Sequence, residues 1–123
     1  SDNTGFGTRA ADVLIREDGD PLEAIIDYYF EEKPAATRQM GTQVERMERL
    51  LDLVKQYKAD GVVASRLYMC DLWAFEHFLM RKRLHENNVP FLELEVDYTP
   101  EGQGQIKTRV QAFVESLADR QTA

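Results

Sequence analysis

Two strand-like runs with a single helix-forming segment between them constrain this chain more than any other feature. The first, residues 61–66, begins "GVVAS", a short apolar run of the kind buried strands show. The second, "FLELEV" at 91–96, alternates: Leu92, Leu94 and Val96 share one face, while Glu93, Glu95 and then Asp97 share the other. A helix predicted over 71–86 joins them, and another is predicted over 105–119. Strand, helix, strand, helix is a βα repeat, so the strands should be parallel and joined by a right-handed crossover. A two-stranded parallel sheet is not stable alone. Either the N-terminal segment adds strands, or the rest of the sheet lies upstream in a longer protein.

Capping signals place the helices. Asp20, Pro21 and Glu23 together read as a cap, a first helical residue and a capping-box partner. Leu22, Ile25, Ile26, Tyr29 and Phe30 follow at helical spacing as an apolar face, and Pro34 ends the segment. Thr42 and Glu45 suggest a second capping box, ahead of a core stripe of Val44, Met47, Leu50, Leu51, Val54 and Tyr57. Asp71 is the expected N-cap of the third helix. Its first half is apolar nearly all round (Leu72, Trp73, Phe75, Phe78, Leu79, Met80), which predicts burial on more than one side, in the core or at a subunit interface. Asn87 or Asn88 can adopt the left-handed stop. The last helix should turn Ile106, Val110, Phe113, Val114 and Leu117 inward. Residues 1–19 read mostly as loop, and "TGFG" within them lacks the spacing of a nucleotide fingerprint.

With 123 residues, 43% hydrophobic and 30% charged, the composition is that of one globular domain. The net charge of −7 disfavours phosphate backbones and anionic membrane surfaces, so neither nucleic acid nor membrane is an expected partner. The opening "SDNTGFG", without Met, reads as a cut end of something longer. No secretory signal is seen there, and one cysteine cannot form an internal disulfide, which together favour a reducing cytoplasm.

That cysteine, Cys70, falls just past the first strand and near the start of the third helix. In open α/β sheets ligands gather outside the carboxyl ends of the strands, and a helix start favours thiolate, the form that binds metal or attacks. A lone cysteine is more often a small buried hydrophobe. His77 lies two turns further along the helix, roughly 10 Å by helical rise, and cannot serve Cys70 as a base. It is expected as a polar member of a packed face, and His85 as a solvated cation at the helix end.

The segments "YKADGVVASRLYMCD", "LMRKRLHENNVPFLELEVDY" and "GQIKTRVQAFVESL" resemble the C-terminal part of the benzoyl-CoA reductase / 2-hydroxyacyl-CoA dehydratase family. The features are a DGVV strand, a Cys-Asp pair after it, a V-P strand ending in L-E-x-D-Y, and a G-Q-x-x-T-R helix start followed by A-F-x-E. "DNTGFGTR" and "GDPLEAIIDYYF" are similar to the region upstream, so the resemblance spans essentially the whole chain. It implies an iron–sulfur subunit in which three cysteines hold a 4Fe–4S cluster. An ATP-dependent iron–sulfur activator passes one electron to that cluster, and the cluster delivers it to the thioester carbonyl of an acyl-CoA. The ketyl radical so formed loses water or undergoes ring reduction. A second dehydratase or reductase subunit is the implied partner. By position Cys70 matches the last cluster ligand, and the others belong to the upstream part of the subunit, because one thiol cannot hold a cubane.

The resemblance also gives the neighbours of Cys70 candidate roles. Ser65 and Asp71 flank the cluster position and are candidates to tune it through hydrogen bonds, against the simpler reading of a strand end and a helix cap. Thr108 and Arg109, in the first turns of the last helix, are candidates for holding a CoA phosphate. The simpler reading pairs Arg109 with Glu93, Glu95 or Asp97. The expectation is an α/β domain, flavodoxin-like or truncated Rossmann-like, with a parallel sheet flanked by helices, from an acyl-CoA dehydratase or reductase component. The rival is a non-enzymatic flavodoxin-like binding module with a structural cysteine.

Overall fold

The computed structural model describes residues 14–32, 41–99 and 102–122. The chain divides into two compact units, Ser1–Gln39 and Met40–Ala123.

In the first unit, helix α1 spans Pro21–Asp27. Asp20 caps it as expected: its Oδ1 accepts from the amides of Leu22 at 2.7 Å and Glu23 at 3.4 Å. Arg16 braces the same helix, lying 3.0 Å from Asp27. The chain then widens into a π-helical turn at Tyr28–Glu32. The face predicted for the core is exposed here: Leu22, Ile25, Ile26, Tyr29 and Phe30 all face solvent, while Ala24 and Tyr28 are buried. Those two are four residues apart and so share a stripe, which is not the one predicted. Pro34 lies outside the described residues.

The second unit opens with α2, Gln43–Gln56. Thr42 is its N-cap residue but makes no capping bond, so the expected box with Glu45 does not form. Its hydroxyl instead accepts a hydrogen bond from Arg46. Met47, Leu51 and Leu53 are buried, whereas Val44 and Tyr57 are exposed. The helix ends with Lys58 in the left-handed region at φ 49°.

Two strands follow, β1 (Val62–Leu67) and β2 (Phe91–Val96), joined through α3 (Asp71–Glu86). They pair in parallel from Val62↔Phe91 to Leu67↔Val96, as the βα order requires. Among the described residues the sheet has no third strand. Alternation puts Val62, Ala64, Arg66, Phe91, Glu93 and Glu95 on one face. Helix α3 covers that face, with the His77 ring 6.2 Å from the Phe91 ring and its Nδ1 3.4 Å from Glu93. The acidic face of β2 is therefore roofed at Glu93. On the opposite face, α4 (Gln103–Thr122) comes so close that a Cβ on Gly61 would lie 2.8 Å from Phe113 Cζ. Glycine at this position is what permits the approach. Ile106, Val110, Phe113 and Leu117 are partly buried along α4, but Val114 is exposed.

Helix α3 has the limits expected of it, but its cap is not the expected Asp71. Cys70 is the N-cap and Asp71 the first helical residue, because the Ala74 amide closes the first turn on the Cys70 carbonyl at 3.0 Å. At the other end Asn88, φ 57°, makes the left-handed stop, and the amides of Asn88 and Val89 return to His85 and Leu84. Burial reaches the sheet side and the α2 side of the helix but not its whole circumference. Leu84 is 0% exposed and His77 1%, yet Leu72, Phe75, Phe78 and Leu79 are exposed, Phe75 to 77%. These exposed residues form an apolar stripe on the part of α3 that faces away from the sheet.

The remaining flank of α3 meets α2 through a charge pair. Arg46 grips Glu76 at two points, Nε–Oε1 2.7 Å and Nη2–Oε2 2.9 Å, with Glu76 buried. Removing one partner of such a pair strands a charge away from water. Glu76→Ala should lower unfolding free energy by about 3–5 kcal/mol, read by urea titration of the helical circular dichroism. A loss below about 1 kcal/mol would show that the pair is as weak as a surface one.

Candidate functional site

The carboxyl ends of β1 and β2 and the start of α4 enclose an open cleft of about 680 Å³. Strand and helix both deliver residues to it. Glu95 and Val96 come from the end of β2, Asp97, Tyr98 and Thr99 from the loop beyond, and Gly102, Gln103, Gln105 and Ile106 from the α4 start. Tyr68, just past β1, completes the rim. This is where ligands collect in open α/β sheets. The sequence pieces L-E-x-D-Y and G-Q-x-x-T-R are the ones that meet here. Glu95 is held by Arg66 across the strand pair, and Asp97 accepts from the Tyr98 amide at 2.6 Å.

The residues singled out from the sequence are placed around this cleft rather than in it. Cys70 is a free, half-buried thiol at the α3 start, after a turn in which Met69 takes φ 62°. Ser65 and Asp71 are exposed, Ser65 by alternation on the α4 side of β1. Thr108 turns its hydroxyl back to the Gly104 carbonyl at 3.0 Å. Arg109 donates to the main-chain carbonyl of Glu93 at 2.7 Å, not to a carboxylate. None of the five lines the cleft. Among the described residues no group of three or more His, Cys, Asp or Glu side chains could hold a metal ion.

Sequence reasoning missed the charge cluster under α3. Glu93 accepts from Arg81 and from Arg66 Nε, the latter at 3.3 Å. His77 Nδ1 lies 3.4 Å from Glu93 Oε1, a long contact that becomes an ion pair only if the ring is protonated. Burial raises the energy of the Glu93 carboxylate, but the hydrogen bonds from Arg81, Arg66 and His77 outweigh it and hold its pKa below the usual 4.5. For His77 burial wins: it pushes the imidazole below its usual 6.5 against the opposing pull of Glu93, with Arg66 and Arg81 adding to the depression. A usable signal was present. His77 and Arg81 are four apart on one helix, and Arg66 stands opposite Glu95 in the parallel register.

Comparison with known proteins gives this geometry a context. A family model described as the D-component of 2-hydroxyglutaryl-CoA dehydratase matches residues 1–117. The chain is 30% identical over 112 residues to a protein of Escherichia coli (strain K12) provisionally named dehydratase subunit YjiM, covering 90% of this chain and 28% of that protein. It is 24% identical over 120 residues to the (R)-phenyllactyl-CoA dehydratase beta subunit of Clostridium sporogenes, covering 94% of this chain and 30% of the relative. Against the beta subunit of (R)-2-hydroxyglutaryl-CoA dehydratase from Acidaminococcus fermentans, identity is 32% over 72 residues, or 58% of this chain and 19% of the relative. The chain thus spans less than a third of the length of these relatives.

Two outcomes follow from the site. His77 has a depressed folded-state pKa, so the unfolded chain takes up its proton first as pH falls below about 6.5, and stability is lost on acidification. Glu93 adds loss of the same sign below its usual 4.5. Melting temperature should therefore fall between pH 7.5 and 5.5, and His77→Gln should flatten that slope; an unchanged slope would assign it to other groups. Separately, the isolated chain, reconstituted anaerobically with iron and sulfide and desalted, should emerge iron-free, with Cys70 still open to alkylation.

Proposed function

The chain belongs to the 2-hydroxyglutaryl-CoA dehydratase D-component family, and from that premise we propose that it is the part of an acyl-CoA dehydratase subunit that lends one thiolate, Cys70, to a 4Fe–4S cluster. The observation that carries this reading is the place of Cys70: a half-buried free thiol at the N-cap of a 16-residue helix, directly after a parallel strand. Such a position, past a strand end and at a helix start, is where ligand groups gather in open α/β sheets. The remaining ligands come from outside these 123 residues, since a cubane needs at least three protein thiolates and this chain has one.

When bound, such a cluster supplies single electrons. What this chain's own residues contribute is placement. The β1–α3 turn fixes the thiol, and the cleft at the strand ends offers a surface to an acyl-CoA substrate beside it. Ser65 and Asp71, both exposed, remain available to hydrogen-bond around the sulfur from the strand and from the helix start. Arg109 and Thr108 already have partners within the chain, so their part in holding substrate would be to fix the α4 start rather than to grip a phosphate. The names of the relatives support dehydration of a 2-hydroxyacyl-CoA over ring reduction, and "beta subunit" supports a partner subunit. An ATP-dependent iron–sulfur activator and a cytoplasmic setting complete the proposal.

The test uses the whole subunit that carries this chain, purified with its partner without oxygen. The wild type should be brown, with a broad absorbance near about 400 nm from thiolate-bound iron–sulfur. Cys70→Ala should lose the iron and the colour while keeping its helical circular dichroism. Full iron content in that variant would overturn the ligand assignment.

A further inference from the structure

We propose that the cleft at the strand ends holds the uncharged, amide-bearing pantetheine arm of a CoA thioester, and that the phosphates of the nucleotide half lie elsewhere. This rests on the acyl-CoA reading above and deepens it.

The lining decides the chemistry. Among the described residues of the cleft there is no Lys, Arg or His, and there are two carboxylates, Glu95 and Asp97. The start of α4 would by itself draw an anion. Beside those carboxylates it gives a phosphate no net attraction, and among the described residues of the lining no side-chain cation is there to hold one. Thr108 and Arg109, the phosphate candidates from the sequence, are turned to the Gly104 and Glu93 carbonyls and stand outside the lining.

What the cleft does offer suits a neutral chain of amides. Gln103 and Gln105 each present both a donor and an acceptor, the complement of a secondary amide. Both are exposed, and no hydrogen bond within the described chain occupies the side chain of either. Val96 and Ile106 give apolar surface for methyl and methylene groups, and Tyr68 and Tyr98 add rings with hydroxyl tips. The lining mixes polar and apolar groups about evenly, and a volume of about 680 Å³ is within the range of small-molecule sites. The two motifs that meet here, L-E-x-D-Y and G-Q-x-x-T-R, are also the ones the cluster leaves without a role.

Calorimetric titration of the chain with three probes tests the assignment: pantetheine, adenosine 3′,5′-bisphosphate and the dication putrescine. Saturable binding of pantetheine alone is expected, weakened about three- to tenfold by Gln105→Ala or Gln103→Ala, the loss of one hydrogen bond each. Both glutamines are exposed, so unchanged thermal melts should accompany the loss. Failure of pantetheine to bind, or binding that neither variant weakens, overturns the proposal. So does binding of the bisphosphate or of putrescine in its place, which would make the cleft an anion or cation site. Iron retention in the whole subunit is a separate readout. If the subunit loses iron with Cys70→Ala but the chain ignores pantetheine, the cleft assignment alone fails; the reverse pattern removes the cluster reading and leaves the cleft.

Discussion

Every element of the βαβα unit touches Glu93. Its carboxylate accepts from Arg66 on β1 and from Arg81 on α3, with His77 of α3 alongside, and its main-chain carbonyl accepts from Arg109 on α4. A carboxylate roofed by a helix is costly unless donors surround it, and here they come from the partner strand and the crossover helix. The arrangement also ties the register. Arg66 reaches Glu93 and Glu95 together only when it stands opposite Glu95, and a slip of one residue would turn Arg66 to the α4 face. A two-stranded parallel sheet has little else to specify its pairing.

From that fixed point the two ends of the sheet follow. With β1 and β2 locked in register, Leu67 and Val96 end side by side, and the loops beyond them begin level with each other. Tyr68 and Asp97 through Thr99 consequently rim one cleft, and the Cys70 thiol sits a short turn away at the start of α3. Candidate chemistry and candidate binding surface are thus neighbours because of strand registry, not because of any local sequence signal. The strand ends also bring the start of α4 to the cleft, a position open because Gly61 lets Phe113 approach the strand.

The stability of this unit is unevenly distributed. One side of α3 is fully closed over Leu84 and His77 and clamped to α2 through Arg46 and Glu76, while the side bearing Leu72, Phe75, Phe78 and Leu79 is open. Aromatic side chains at helical spacing are large contributors to burial energy when covered and contribute none of it when exposed. The described fold therefore draws its cohesion from ion pairs and a small core more than a unit of this apolar content would suggest.

Much of the architecture was legible in the residues. Strand order, parallel pairing, the Asp20 cap and the Asn88 stop all rest on local rules: alternation, capping oxygen atoms and left-handed backbone preference act within a few residues and need no knowledge of neighbours. The limits of α3 and β2 came out as read, and family membership rests on motifs that a linear scan can find. Wherever the outcome depended on what lay across a gap, the chain by itself was silent or misleading. Thr42 was available as a cap, but Arg46 takes its hydroxyl. Glu93 reads as one of the acidic face of an alternating strand until α3 lands on it, and Arg109, read as the partner of a carboxylate or of a phosphate, donates to the Glu93 carbonyl. The apolar faces of α1 and α3 show the same division. Periodicity says which residues share a stripe, and only tertiary packing decides whether another element arrives to cover it.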